Sequence, residues 1–255
     1  MPISTHVRIV TPIISAGFRD DNPLLAAMPD NCRVSSVFLE NGPGSVESAV
    51  DEALAAPGVI DAALQAERDG ADAVVIDCML DPGLDAAREA VSIPVIGCGE
   101  ASMTAAVKAG AFSVVTVLDR QARAFQELAR RYGLSDHLCS VRGIGVPVLA
   151  LESARESSIT ATIVEAKAAV QEDGAAAIVF GCTGMLGFAP PVANALGRTL
   201  PVIDPLPHAT LKAHEAVLAG EHTDKAIYPS PEPKRVAGFS SWRALDAMMR
   251  GEPLE

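Results

Sequence analysis

The sequence predicts an α/β fold made of two similar halves. Apolar, β-branched runs alternate with helix-like stretches along the 255 residues, and strands that are apolar throughout are typical of parallel sheets covered on both faces. A short pattern also recurs, since residues 70–78 match residues 174–182 at an offset of 104. Each copy follows a helix-like stretch with an acidic end and precedes a second strand that begins Pro-Val-Ile. These shared features favour a duplicated half-domain over two ordinary strand–helix units.

Each predicted strand is a short apolar run, and the predicted strands are residues 6–10, 34–39, 73–77, 95–98, 113–117, 176–181 and 201–203. The predicted helices lie between them, at residues 46–69, 84–90, 103–109, 120–132, 157–173 and 209–218. The first helix is expected to break near Pro57 and Gly58, because proline removes a helical hydrogen bond. Alternation of this kind implies parallel strands joined by right-handed crossovers. We expect residues 1–110 and 205–255 to form the first half-domain and residues 111–204 the second.

Composition excludes several classes of partner. Lys and Arg number 20 against 32 Asp and Glu, a net charge of −12, which disfavours nucleic acids and anionic membrane surfaces as partners. The segment before the first strand lacks the pattern of a signal peptide, and the longest uncharged apolar run, residues 174–185, is too short to span a bilayer. We expect a soluble cytoplasmic protein that takes a small-molecule substrate. Residues 241–251 are predicted to form a short amphipathic helix that covers the protein's own core or a neighbouring subunit, and we expect a homo-oligomer.

Five cysteines are the candidate chemical groups, and they are Cys32, Cys78, Cys98, Cys139 and Cys182. Their spacing fits neither a zinc site nor a dithiol motif, and an odd count in a chain of this size is no disulfide scaffold. Cys78 and Cys182 each stand just past a buried strand, at the sheet edge where α/β proteins bind ligands. Two half-domains facing each other would place these two on opposite walls of a cleft. The repeat alone leaves each of them between a chemical and a packing role. Cys32 and Cys139 are predicted to be filler, and Cys98 is a lesser candidate for the cleft border.

Two facing thiols can invert a carbon next to a carbonyl. A thiolate removes the proton from one face, and a thiol returns a proton to the other. A free thiol has a pKa near ~8.5, so it needs activation. Gly181 and Gly184 flank Cys182, and glycines permit a tight backbone whose N–H groups hold a carboxylate or a developing enolate oxygen. Asp81 is predicted to be the N-cap of the next helix, with Pro82 at its first position.

The cysteine segments resemble a known family. Residues 78–88, Cys-Met-Leu-Asp-Pro-Gly-Leu-Asp-Ala-Ala-Arg, are similar to the first cysteine loop of the hydantoin and allantoin racemases, within the aspartate/glutamate racemase superfamily. Further similar segments follow in the family's order, at residues 93–101, 112–116, 143–149, 181–185 and 201–205. The resemblance covers roughly residues 70–220 and the first strand. It implies two pseudo-symmetric Rossmann-like or flavodoxin-like half-domains with mainly parallel sheets and the active site between them. It also implies a cofactor-independent racemase or epimerase, with Cys78 and Cys182 as its acid/base pair.

The substrate's oxygens are expected to be held by backbone N–H groups of Met79, Thr183 and Gly184, helped by the hydroxyls of Thr11 and Thr116. One departure from the family concerns the first strand's end, which reads Thr-Pro-Ile-Ile-Ser at residues 11–15 where hydantoin-type members usually have Asn-Pro-Asn-Thr. An amide-reading contact is therefore lost, which weakens the case for a cyclic ureide substrate. His208, just after the Asp-Pro of the last strand, is a further polar candidate near the cleft.

Other functions on this fold stay open. A decarboxylase of activated malonates needs only one cysteine, and both are kept here. A maleate cis–trans isomerase uses two. A non-catalytic small-molecule sensor would be expected to lose one thiol. No cofactor or metal is expected.

Overall fold

The computed structural model describes residues 4–198, 200–235 and 252 and contains two parallel sheets of four strands each. The first sheet holds β1 (Thr5–Thr11), β2 (Cys32–Phe38), β3 (Ala73–Ile76) and β4 (Val95–Gly97). The second holds β5 (Phe112–Thr116), β6 (Leu138–Gly143), β7 (Ala177–Phe180) and β8 (Val202–Ile203). The helices are α1 (Asn22–Ala27), α2 (Ala49–Arg68), α3 (Leu84–Ala90), α4 (Cys98–Val107), α5 (Ala122–Arg131), α6 (Arg155–Gln171), α7 (Ala189–Ala195) and α8 (Pro205–Leu218).

The two sheets share one topology. Their strand orders are β2-β1-β3-β4 and β6-β5-β7-β8, with every pairing parallel. The repeated sequence pattern supplies β3 and β7, which hold the same position in the two orders. All four residues of each of these strands are buried, as uniformly apolar runs predict. The predicted α/β fold of two similar halves is therefore confirmed.

One strand was missed by the apolar-run criterion. Strand β6 alternates polar and apolar residues, and most of its residues are only half-buried. Within the described residues it is the edge strand of its sheet and pairs with β5 alone, so one side needs no apolar cover. The short helices α1 and α7 were missed as well, because each begins at a proline-containing turn that resembles a loop.

The predicted break in the first long helix is wrong, because α2 runs unbroken through Pro57. Ser48 caps its start, accepting from the Asp51 N–H at 3.2 Å. The buried face of α2 includes Ala55, Val59 and Leu64. Packing of this face against β1, β3 and α3 offsets the roughly 3 kcal/mol that an interior proline costs a helix.

The predicted role of Asp81 is also wrong. Gly83, with φ of +71°, occupies the N-cap position of α3. The Asp81 carboxylate instead caps α4, accepting from the backbone N–H groups of Gly99 at 2.9 Å and Glu100 at 2.7 Å. Asp81 lies in the loop after β3, far along the chain from the start of α4. With this cap, α4 begins at Cys98, five residues before the predicted start of the helix. A Cβ at Gly97 would lie 2.6 Å from the Asp81 carboxylate, so glycine is required there.

The C-terminal part of the described chain packs on the first sheet, where α8 contacts β1, β3, β4 and α4. The amphipathic helix predicted at residues 241–251 lies outside the described residues. Among the helices that are described, none is long and apolar enough to cross a membrane.

Candidate active site

A cleft lies where the carboxyl ends of the central strands of the two sheets meet. Its cavity volume is about 30 Å³, so the two walls stand close together. Residues 11–13 and 77–80 line it from the first half, and residues 181–184 with Gln121 and Val148 line it from the second. Phe18 and Val46 complete an apolar wall. The predicted cleft between two sheets is present.

The two predicted cysteines both line this cleft. Cys78 follows β3 by two residues, and Cys182 follows β7 by two residues, so the repeat places them in equivalent positions. Both are half-buried and carry free thiols. The pKa of Cys78 responds to charge on Cys182, as expected for two ionisable groups that share one site.

Burial raises the pKa of both thiols. The Leu80 N–H opposes this effect at Cys78, while negative charge on Cys182, Asp81 and Asp77 raises its pKa further. Burial raises the pKa of Cys182 to about 12, against the opposing effects of the Gly184 N–H and the Arg19 guanidinium. These shifts favour the thiol form of both cysteines at neutral pH. Forming a thiolate therefore depends on the donors and cations held around each sulfur.

The turn after Cys182 brings backbone close to its sulfur. The Gly184 N–H lies 3.3 Å from the Cys182 Sγ. A Cβ at Gly184 would stand 2.9 Å from the Leu151 Cδ1 and 3.3 Å from the same sulfur. Glycine at this position therefore allows the close approach of a backbone donor to the thiol.

The Thr11 and Thr183 hydroxyls line the cleft but already donate hydrogen bonds. Thr11 donates to the Asp77 carboxylate at 2.8 Å, and Thr183 donates to the Asp77 carbonyl at 3.2 Å. Each hydroxyl keeps lone pairs and so faces the cleft as an acceptor. Met79 lines the cleft as predicted, and within the described chain its N–H has no backbone acceptor, which leaves that donor available.

Thr116 does not face the cleft as expected. It is fully buried behind the wall, and its hydroxyl lies 2.8 Å from the Gln121 Oε1 and 3.2 Å from the Gly181 carbonyl. In place of Thr116, the second half presents the amide side chain of Gln121 to the cleft. Gln121 lies in the turn before α5. This residue was missed because nothing in a short polar turn marks which side chain points inward.

An ion pair beside the cysteines was also missed. The guanidinium of Arg19 binds the Asp77 carboxylate through two nitrogens, at 3.0 and 2.7 Å. The Arg19 side chain is 4% exposed and that of Asp77 is 0%. A carboxylate at the end of an otherwise apolar buried strand was the available signal, because a buried charge requires a partner. The partner's identity was hidden, since Arg19 is 58 residues away.

Two lesser candidates lie outside the cleft lining. Cys98 is fully buried as the first residue of α4, and burial raises the pKa of its thiol well above the ordinary value. His208 lies on α8, where burial and then Lys212 lower the pKa of its imidazole. Neither side chain borders the cavity between the two catalytic candidates.

A charged groove of about 650 Å³ adjoins the cleft and shares Leu80 and Gln121 with it. Exposed arginines of α5 and its preceding turn line one side, and Glu47 and Glu52 line the other. The Glu47 carboxylate also accepts a hydrogen bond from the Val148 N–H at 2.7 Å, which joins the two halves at the mouth. Substrate atoms that extend beyond the cleft would enter this groove.

Comparison with known proteins places the chain in a class. A hydantoin racemase from Pseudomonas sp. (strain NS671) is 39% identical over 215 residues, covering 84% of this chain and 86% of that protein. The structure of an allantoin racemase from Klebsiella pneumoniae superposes with a TM-score of 0.87 at 33% identity, covering 94% of this chain and 99% of that one. Arylmalonate decarboxylase, in a mutant, sulfate-associated form, shares the fold at a TM-score of 0.62 and 18% identity, over 84% of this chain and 94% of that one.

Fold and relatives together define an isomerase of the racemase class. The Asp/Glu/Hydantoin racemase family model matches residues 22–213, and this chain belongs to that family.

Proposed function

We propose that this enzyme interconverts the enantiomers of a five-membered cyclic ureide, of the hydantoin or allantoin type, by moving a proton at the carbon next to a ring carbonyl. The observation that carries the proposal is the pair of thiols, one from each half, lining a single cleft. The printed activities of the most similar relatives support the ureide class. Against this stands the lost amide at residues 11–15. Gln121 lines the opposite wall, and because its Oε1 accepts from the Thr116 hydroxyl, its NH2 group is the part left to meet a substrate.

The proposed reaction is balanced between the two sulfurs. The thiolate of one cysteine takes the proton from the ring carbon, and the electron pair moves onto the neighbouring carbonyl oxygen. The opposite thiol then gives its proton to the other face of the same carbon, and the carbonyl re-forms. The negative charge ends on the second sulfur, so the reverse reaction restores the first state. One proton is taken and one is returned, and no further reactant is needed.

Backbone donors are proposed to hold the developing oxyanion. The Met79 N–H follows Cys78 and has no backbone acceptor among the described residues, and the N–H groups of Thr183 and Gly184 follow Cys182. Donors placed where charge develops stabilise an enolate more than the neutral carbonyl. Thr11, with its proton committed to Asp77, is proposed to accept a hydrogen bond from a ring N–H of the substrate.

Decarboxylation of an activated malonate is the second candidate, and its support is the shared fold of arylmalonate decarboxylase. That likeness, at 18% identity, extends to the fold alone. A second thiol in the cleft is unnecessary for loss of carbon dioxide and necessary for inversion from both faces. The same experiment separates this reaction, and the cis–trans isomerisation of maleate, from racemisation.

The experiment follows solvent deuterium by proton NMR in D₂O. Single enantiomers of 5-methylhydantoin, 5-benzylhydantoin and allantoin are incubated with protein, beside phenylmalonate and maleate, with protein-free samples to subtract spontaneous exchange. We expect deuterium at the ring carbon together with loss of optical rotation for at least one ureide. Exchange should persist in Cys139→Ser, because that thiol is exposed and is not part of the cleft lining. Carbon dioxide from phenylmalonate or fumarate from maleate, without ureide exchange, would overturn the proposal.

We further propose the half-domain division at residues 1–110 with 205–255 and 111–204, which the packing of α8 on the first sheet supports.

A homo-oligomer is proposed on the exposed apolar pair Val50 and Leu54, one turn apart on α2. Light scattering after size exclusion would test it, with Leu54→Lys expected to shift the mass downward and an unchanged monomer mass refuting it. Free thiols at all five cysteines support a reducing, cytoplasmic setting.

A further inference from the structure

We propose that Arg19, locked against Asp77, is a positioning residue for the two cysteines: it clamps the two cysteine loops together and supplies the guanidinium that balances a buried carboxylate beside them. This inference rests on the proposed two-thiol function. It assigns to Arg19 and Asp77 a role that neither the sequence motifs nor the family comparisons contain.

The geometry is that of a fully engaged guanidinium. Beyond the two nitrogen contacts to Asp77, the Arg19 Nε donates to the Asp21 carboxylate at 2.7 Å. One terminal nitrogen also lies 3.4 Å from the Thr183 carbonyl oxygen. The ring of Phe18 covers the guanidinium at 4.9 Å, and Phe18 itself lines the cleft. Arg19 is therefore held within the protein behind the cleft lining, which fits a positioning role and not a substrate contact.

The contacts of Arg19 reach both cysteines through their chain neighbours. Asp77 directly precedes Cys78, and Thr183 directly follows Cys182. The Thr183 hydroxyl donates back to the Asp77 carbonyl at 3.2 Å. The guanidinium and this hydroxyl thus form a closed bridge between the two cysteine loops. A two-sided proton transfer depends on the spacing of its acid and base, and this bridge sets that spacing.

The same pair controls charge at the site. The Asp77 carboxylate raises the pKa of both cysteines, and the Arg19 guanidinium lowers the pKa of Cys182. The carboxylates of Asp81 and Glu47 also raise the pKa, that of Cys78 and that of Cys182 respectively, and charge on Cys182 raises the pKa of Cys78 as well. Burial raises the pKa of Asp204 to about 6, and the charges of Arg19, Asp77 and Arg155 also act on this pKa. Removal of Arg19 would therefore leave carboxylates around the thiols with their principal counter-charge gone.

The test compares Arg19→Met, Arg19→Lys, Asp77→Asn and the double variant Arg19→Met/Asp77→Asn with the parent enzyme. Arg142→Met is the control, because Arg142, on the edge strand β6, makes a two-nitrogen pair with Asp173 and no residue of β6 lines the cleft. Two readouts are used: the rate at which iodoacetamide alkylates Cys78 and Cys182, resolved by peptide mass spectrometry, and the pH dependence of kcat/KM for deuterium exchange. Thermal unfolding is recorded for every variant.

We expect Arg19→Met to slow alkylation of Cys182 at least tenfold at pH 8 and to move the rising limb of the pH profile upward by about one unit. Arg142→Met should leave both readouts unchanged. It should lose less thermal stability than Arg19→Met, because the Arg142 side chain is 21% exposed and that of Arg19 is 4% exposed. The double variant should recover most of the alkylation rate, because it removes the carboxylate together with its partner. Arg19→Lys should fall between the parent and Arg19→Met, since a lysine keeps the charge and loses the two-nitrogen geometry.

The inference is overturned if folded Arg19→Met or Arg19→Lys keeps the parent's alkylation rates and pH profile, or if Arg142→Met changes them equally. Should Arg19→Met fail to fold, Arg19→Lys carries the same comparison. Alkylation needs no substrate. If the variants show the expected changes in alkylation rate but the parent enzyme exchanges no ureide, the proposed function is refuted and the charge role of Arg19 is still supported.

Discussion

The buried Asp81 carboxylate makes a quantitative prediction about stability. Burial raises its pKa from 3.8 to about 7, against hydrogen bonds from the Tyr132 hydroxyl and the N–H groups of Gly99 and Glu100. Because the folded-state pKa lies above the unfolded one, the stabilising effect is present below about pH 4 and is lost as pH rises through about 7. At 1.36 kcal/mol per pKa unit, the full loss is about 4 kcal/mol.

The perturbation is Asp81→Asn, which removes the titration. Between pH 5 and pH 7 the parent should lose about 2–3 kcal/mol of unfolding free energy relative to this variant. Asparagine also loses one cap bond to α4, and this constant cost shifts the curve without changing its slope. Urea unfolding at half-unit pH steps measures both curves. Asp85→Asn, at an exposed carboxylate of α3, is the control and should run parallel to the parent. If the curve of unfolding free energy against pH for Asp81→Asn also runs parallel to that of the parent, the raised pKa of Asp81 is refuted.

Three further outcomes are expected. Burial raises the pKa of Cys182 to about 12, so kcat/KM for exchange should keep rising with pH from 7 to 9.5, and a plateau below pH 7.5 in a stopped-flow or NMR profile would contradict this. Gly184→Ala brings a methyl to 2.9 Å of Leu151 Cδ1 and 3.3 Å of the Cys182 Sγ. The exchange rate should fall at least tenfold, while the midpoint of urea unfolding changes little. An unchanged exchange rate would show that the close approach of the backbone to the Cys182 sulfur is unnecessary. Pro57→Ala restores a hydrogen bond inside α2 and should raise the unfolding free energy by about 1 kcal/mol or more, with a decrease showing that the proline fits its site without cost.

The buried strands and the position of the two cysteines at the cleft could be predicted from the sequence, because a strand's apolar run and the residue that follows it are local signals. Strands β3 and β7 are apolar throughout, and their repeated pattern ends at equivalent cysteines. Strand β6 was not predictable in this way, since its half-exposed residues at a sheet edge dilute the apolar signal. Pro57 was misjudged because local propensity carries no information about the apolar face that α2 buries.

Roles set by distant partners were the ones that sequence patterns missed. Asp81 looked like a local helix cap, yet its carboxylate reaches the start of α4 and the hydroxyl of Tyr132, which is 51 residues away. Thr116 has the expected hydroxyl, but this hydroxyl lies behind the cleft wall, within hydrogen-bond distance of the Gln121 Oε1 and the Gly181 carbonyl oxygen. Arg19 had no signal of its own; only the charge of Asp77 in an apolar strand indicated that some cation must come near.

The most direct test of the two-thiol mechanism is inversion by enzymes that keep only one of the two cleft cysteines. Cys78→Ser and Cys182→Ser are each given the separate enantiomers of the ureide that the parent racemises best, in D₂O, with circular dichroism following rotation and NMR following exchange. Both variants should lose about 10³-fold or more in inversion, as expected when a catalytic acid or base is removed, while Cys139→Ser keeps the parent rate. Inversion at the parent rate by either Cys78→Ser or Cys182→Ser would contradict the two-thiol mechanism.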